Sequence, residues 1–234
     1  MDITGSVALV TGANRGLGRE FAQQLLERGA AKVYATSRRP ELVDVPGVEV
    51  LRLDVTDPES IAAAAAAAGD VTLLVNNAGI TTRSDLVTGD LADVRLEMET
   101  HFFGTLGVVR AFAPVLARNG GGAIANVLSA LSWFSTAGAN AYAAAKAAEW
   151  SLTNGIRIEL TAQGTAVTGI VLGAADTDMM AGYTGPMTAP ADVVRAALDG
   201  VQAGAWEVLV DDWSRGVKAS LAADPREFYA PQTA

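Results

Sequence analysis

Tyr142 and Lys146 stand four positions apart, a spacing that puts both side chains on one face of a helix. A free phenol ionises at about pH 10 and exchanges protons poorly at neutral pH. An ammonium beside it favours the phenolate and brings the pair into range for general acid–base work. Ser129, thirteen positions before the tyrosine, ends an apolar run and is placed to hold the oxygen of a reacting group. A second constellation, Thr11-Gly12-Ala13-Asn14-Arg15-Gly16-Leu17-Gly18, follows the apolar run 7–10. A glycine-rich turn between a strand and a helix presents backbone amides and a helix N-terminus to a pyrophosphate. Each signal is weak alone. Tyr-x3-Lys arises by chance on any alanine-rich helix, and glycine in such a turn also serves the backbone.

The end of the second strand adds a third signal. In dinucleotide-binding folds an acid there bonds the adenosine ribose, whereas a base accommodates a 2′-phosphate. This chain offers Ser37-Arg38-Arg39 and no acid, with Arg15 within reach from the glycine turn. Placed arginines in a chain of net charge −9 point to NADP(H).

Composition removes several rivals. The 234 residues contain no cysteine, which excludes disulfides, thiolate catalysis and cysteine-bound metals. His101 is the only histidine, so no histidine-rich metal site is expected. No basic run tracks a nucleic acid, and no stretch approaches the roughly 20 apolar residues of a bilayer span. The N-terminus lacks the basic and apolar regions of a signal peptide, so a soluble, cytoplasmic protein with a small-molecule substrate is expected.

Strands are expected at 7–10, 32–36, 48–53, 71–75, 123–128, 166–172 and 206–210. Helical patterns alternate with them after residue 16, over the alanine run 62–68, and over 90–118, 140–162 and 191–203. Seven strands alternating with helices imply one doubly wound α/β domain spanning 1–234, its parallel sheet covered on both faces. Residues 174–190 read as a loop. Ligands in such a fold sit beyond the carboxyl ends of the strands. Ser129, Trp133, Phe134, Met179, Met180 and Tyr183 are therefore expected to line an apolar substrate pocket.

Taken in order, Thr11-Gly12-x3-Gly16-x-Gly18, Asp54-Val55, Asn76-Asn77-Ala78-Gly79, Ser129 and Tyr142-x3-Lys146 resemble the short-chain dehydrogenase/reductase family. The resemblance covers about residues 4–211. It implies a Rossmann-type domain and an NADP-dependent ketoreductase or alcohol dehydrogenase. Tyr142 would act as general acid and base, and Ser129 would orient the carbonyl. Lys146 would lower the tyrosine pKa and bind the nicotinamide ribose. The cofactor would lie against Gly12, Asn14, Arg15, Gly16, Leu17, Gly18, Ser37, Arg38, Asp54, Val55, Asn77, Ala78, Gly79, Tyr142, Lys146, Gly173 and Thr177. Homodimers or homotetramers on the two long helices are common in the family.

Two positions depart from the family pattern. His101 stands where the family has an asparagine that supports a water beside the lysine, and Leu172 precedes Gly173 where the family has proline. His101 is then either a packed helical residue or part of the proton relay. Two other activities remain open on this scaffold, a non-catalytic NADP-sensing regulator and a dehydratase or epimerase.

Overall fold

In the computed structural model, which describes residues 1–233, the seven strands are β1 (Val7–Val10), β2 (Lys32–Ser37), β3 (Glu49–Arg52), β4 (Leu73–Asn76), β5 (Ala123–Ser129), β6 (Ala166–Leu172) and β7 (Glu207–Leu209). All pair in parallel, in the order β3-β2-β1-β4-β5-β6-β7. Strand order reverses between β1 and β4, the place where open α/β sheets form a ligand crevice.

Alternation along each strand divides the core in two. Ala8, Val10, Leu73 and Val75 face one side, where they pack with Phe21 and Leu25 of α1 (Gly16–Glu27). Val194 and Leu198, from the helix Pro190–Gln202, complete that layer. Leu9, Leu74 and Ile124 face the other side. There they meet Ile61 and Ala64 of α2 (Pro58–Ala67), and Val108, Phe112 and Leu116 further along the chain. The alanine run is a helix because Asp57 caps it, accepting from the Glu59 amide, and Pro58 opens it.

The expected long helix over 90–118 is broken in the middle. It consists of α3 (Leu91–Met98), one π-helical turn over Glu99–Gly104, and α4 (Thr105–Arg118). A β-carbon on Gly104 would stand 3.0 Å from both Cγ2 and the carbonyl oxygen of Val55, so the turn packs tightly on that segment. The stretch Leu91–Arg118 also corrects the expectation about apolar runs, since it reaches the length and hydropathy of a bilayer span. Half of its most apolar window is buried within the protein, where α4 covers the sheet.

The remaining helices are α5 (Asn140–Glu159), α6 (Pro190–Gln202), α7 (Asp212–Ser220) and α8 (Pro225–Thr233). The last two were not expected from the sequence. Asp211 caps α7 reciprocally with Ser214, fixing its start beside the carboxyl end of the sheet.

Gly18 lies where α1 crosses β1. A β-carbon there would stand 2.1 Å from the Gly12 carbonyl oxygen, a backbone atom that cannot swing away. Gly18→Ala is expected to lose about 1–3 kcal/mol of stability, the range for overpacking a tight contact, as measured by urea denaturation.

Candidate active site

The carboxyl ends of the strands open into one cleft of about 1290 Å3. Its first wall is the turn after β1. Gly12 has φ +67°, and a β-carbon there would meet the Ala78 α-carbon at 2.9 Å. Thr11 Oγ1 accepts from the amides of Asn77 and Ala78, both at 2.9 Å. Asn77 Nδ2 donates back to the Thr11 carbonyl at 2.9 Å. The glycine turn and the β4 end are thus locked together as one rigid backbone surface. Gly12, Asn14, Arg15, Gly16, Leu17, Asn77, Ala78 and Gly79 all line the cleft. Gly18 does not; its part is the close crossing of helix and strand.

Ser37, Arg38, Arg39, Asp54 and Val55 line the far end of the same cleft. Arg15 stands 3.4 Å from Asp178 in an exposed pair, which leaves the guanidinium available to a second anion. The cleft therefore fits a dinucleotide with a 2′-phosphate: a glycine cradle that side chains would fill, and arginines at one end. Gly173 and Thr177 line it at the other end. The Gly173 amide donates to Asp211 Oδ2 at 2.7 Å, so the cap of α7 also fixes the strand end that faces the reacting groups.

Ser129, Tyr142 and Lys146 converge on the cleft from β5 and the first two turns of α5. Lys146 is buried. Its Nζ donates to the Val127 carbonyl at 2.8 Å and to Glu149 Oε2 at 2.7 Å, and stands 5.8 Å from the Tyr142 ring centre. Burial opposes the ammonium, but Glu149 and Tyr142 outweigh it and hold its pKa above the usual lysine value. Burial likewise pushes the Tyr142 phenol up. Lys146 and the Ser129 hydroxyl pull it down, yet the phenol stays above the ordinary tyrosine value. The expected lowering by Lys146 is present but does not prevail: the tyrosine rests as a protonated acid.

His101 projects from the π-helical turn into this centre, edge-on to Tyr142 with ring centres 5.2 Å apart. It lines the cleft and is 1% exposed. Its Nε2 lies 3.0 Å from the Ile80 carbonyl and 3.2 Å from Glu97 Oε2, while Nδ1 is 3.8 Å from Glu149 Oε2. Gly79 is required beside it, since a β-carbon there would fall 2.7 Å from the imidazole Cε1. Glu97 and Glu149 were not anticipated. Their spacings, four before His101 and three after Lys146, are the available signal.

Phe134, Met179, Met180 and Tyr183 line the same cleft together with Trp213 of α7. Trp133 corrects the expected pocket. The short 3₁₀ turn Ala130–Ser132 directs it away from the cleft, against Trp150 at 6.2 Å and under Lys218 at 5.4 Å. Phe134 packs on Trp213 and on Phe228 of α8, so the unexpected C-terminal helices back this wall of the cleft. Arg83 was also missed. Among the described residues it is the only non-glycine with positive φ, at 55°, and its Nη2 donates to the Ala181 carbonyl of the 174–190 loop at 2.7 Å.

Residues 6–186 match the short chain dehydrogenase family. A 3-oxoacyl-(acyl-carrier-protein) reductase of Vibrio cholerae is 36% identical over 189 residues, 76% of this chain and 77% of that protein. An NADPH-dependent 1-acyldihydroxyacetone phosphate reductase of Schizosaccharomyces pombe is 34% identical, over 77% of this chain and 63% of its own length. A short chain dehydrogenase from Burkholderia cenocepacia, solved in complex with NADP, is 40% identical over the whole of both chains, with a TM-score of 0.95.

The raised phenol sets a pH profile. With Tyr142 as proton donor, carbonyl reduction would need its protonated form, which a raised pKa preserves to higher pH, so kcat/KM for reduction should stay flat through neutrality. It should fall only above the ordinary tyrosine range, about pH 10. Alcohol oxidation needs the phenolate and should rise with pH over the same span. Initial rates in both directions across pH check both limbs.

Proposed function

This chain belongs to the short-chain dehydrogenase family, and from that premise we propose that it is an NADPH-dependent ketoreductase for ketones or secondary alcohols with an apolar substituent. One observation carries the reading: Ser129, Tyr142 and Lys146 meet at one end of a cleft whose other end presents Ser37, Arg38 and Arg39.

The bound nicotinamide supplies the hydride. Ser129 Oγ orients the carbonyl oxygen, and Tyr142 donates a proton to that oxygen as negative charge develops on it. The Lys146 ammonium stabilises the phenolate left behind and is expected to bond the nicotinamide ribose. The Val127 carbonyl and Glu149 hold that ammonium in position. Phe134, Met179, Met180 and Tyr183 enclose the substituent and exclude water. Both curated relatives are named as reductases of acyl-bearing substrates, in keeping with an apolar pocket. Two copies joined along the α3–α4 segment and α5 fit the exposed positions of Phe103, in the π-helical turn, and Ile158.

Arg38 and Ser37 should make NADPH preferred over NADH by at least about tenfold in kcat/KM, equivalent to about 1.4 kcal/mol. Steady-state oxidation of both cofactors with ethyl acetoacetate and acetophenone tests this. Equal use of NADH would remove the phosphate-site assignment, and tight NADPH binding without consumption would favour a sensing role.

Tyr142→Phe removes one oxygen and should retain fold and NADPH affinity while turnover drops about 10²–10⁴-fold. Turnover within a few-fold of the parent would remove Tyr142 from the chemistry.

A further inference from the structure

Lys146 begins a line of ionisable side chains whose further members, His101 and Glu97, the reaction above does not use. From Nζ the line runs 2.7 Å to Glu149 Oε2, then 3.8 Å to His101 Nδ1. It continues from His101 Nε2, 3.2 Å from Glu97 Oε2. Glu97 Oε1 accepts from the Thr82 amide at 2.6 Å and from its hydroxyl at 3.0 Å. Thr82 is half-buried, so the line passes from the catalytic centre to the rim of the protein. Between those ends Glu97, His101 and Glu149 are 0%, 1% and 2% exposed.

A structural ion pair would stop earlier. Burying a charge costs several kcal/mol unless it is paired, and Glu149 already pairs Lys146 while accepting from the Thr105 hydroxyl at 3.2 Å. A second buried acid and the only histidine nevertheless follow. Glu97 Oε2 and His101 Nδ1 have no hydrogen-bond partner. Unpartnered polar atoms are unfavourable as packing. They suit a proton path, in which each group must accept on one side as it donates on the other. Imidazole does this through its two nitrogens. Around His101 stand Glu97 from its own helical segment, Glu149, Tyr142 and Lys146 from α5, and the Ile80 carbonyl from the segment after β4.

We propose that Glu97, His101 and Glu149 carry protons from the Thr82 rim to Lys146 and so resupply Tyr142 after each reduction. The inference rests on Tyr142 being the proton donor. Having protonated the substrate oxygen, Tyr142 is a phenolate and takes a proton from Lys146 Nζ. Lys146 regains one from Glu149, and Glu149 from His101 Nδ1, while His101 Nε2 takes one from Glu97. Glu97 is refilled from solvent at the Thr82 end. One proton enters for each hydride delivered. The imidazole proton has then moved from Nδ1 to Nε2, and it must pass back to Nδ1, by rotation of the ring or exchange through its neighbours, before the next cycle. The Glu149–His101 link, 3.8 Å, must shorten to about 2.7–3.0 Å for transfer, and Lys146 Nζ, 5.8 Å from the Tyr142 ring centre, must likewise close on the phenolate oxygen.

Glu97→Gln is the decisive variant, because Glu97 lies off the cleft wall and does not touch Lys146. It keeps the size of the side chain and removes its ability to pass a proton. The first turnover needs only the proton already on Tyr142. On rapid mixing of the NADPH complex with ethyl acetoacetate, it should stay within about twofold of the parent. Steady-state turnover should fall at least about tenfold, with a larger solvent deuterium isotope effect. Glu149→Gln should fall likewise in the steady state. Parent-like turnover and isotope effect in Glu97→Gln would overturn the proposal. So would a first turnover that falls in step with the steady state, which would make Glu97 a support of the pocket. Should Glu97→Gln fail to fold, Thr82→Val decides: a few-fold loss of steady-state turnover is expected, and an unchanged rate overturns the path. Tyr142→Phe runs beside these variants. If it stays active, the donor assignment has failed; if it is inactive and Glu97→Gln is unchanged, only the path has failed.

Discussion

The buried ammonium of Lys146 is the constraint to which the centre of this molecule answers. A charge placed there must be met by acceptors, and two meet it: the Val127 carbonyl of β5 and the Glu149 carboxylate one turn along α5. Meeting them fixes α5 against the sheet. Glu149 then needs neighbours of its own and takes the Thr105 hydroxyl, which draws the start of α4 inward. Behind them a second polar row ties the same elements, Asn76 donating to Asn126 and Asn126 to Thr153, each at 2.9 Å. The same ammonium acts on Tyr142, so one charge orders the packing and tunes the acid.

The cofactor end is held by different physics. The glycine turn, the β4 end and α1 touch backbone to backbone, at distances that admit no β-carbon on Gly12 or Gly18. Rigid amides there would meet a pyrophosphate without ordering cost at the moment of binding. Arg38 and Arg39 provide charge at the rim of a chain that is otherwise acidic. The π-helical turn over Glu99–Gly104 joins the two halves, because its extra residue brings His101 to face Tyr142 beneath Gly79.

What the sequence made legible was local. The glycine turn and Tyr142-x3-Lys146 depend on spacing within one element, and all seven strands appeared where apolar runs predicted them. Glu97 and Glu149 were hidden because a buried carboxylate has the same letter as a solvated one; only their helical spacing to His101 and Lys146 marked them. Trp133 was misplaced because a single 3₁₀ turn reverses the direction of a side chain, which hydropathy does not register. The last two helices escaped notice because their sequences are polar. Asp211 and Ser214, three apart, carried the capping signature that announces the first of them. Arg83 was invisible for a further reason: nothing in its type foretells a left-handed backbone.

The field of Lys146 at the Tyr142 hydroxyl is open to direct measurement. Ultraviolet absorbance of phenolate, followed against pH and corrected by subtracting Tyr142→Phe, isolates the ionisation of this one tyrosine from Tyr34, Tyr183 and Tyr229. With Lys146 present the Tyr142 signal should appear at lower pH than in Lys146→Met, because loss of the ammonium leaves burial and the carboxylates unopposed. Coincident titrations in the two proteins would contradict the account.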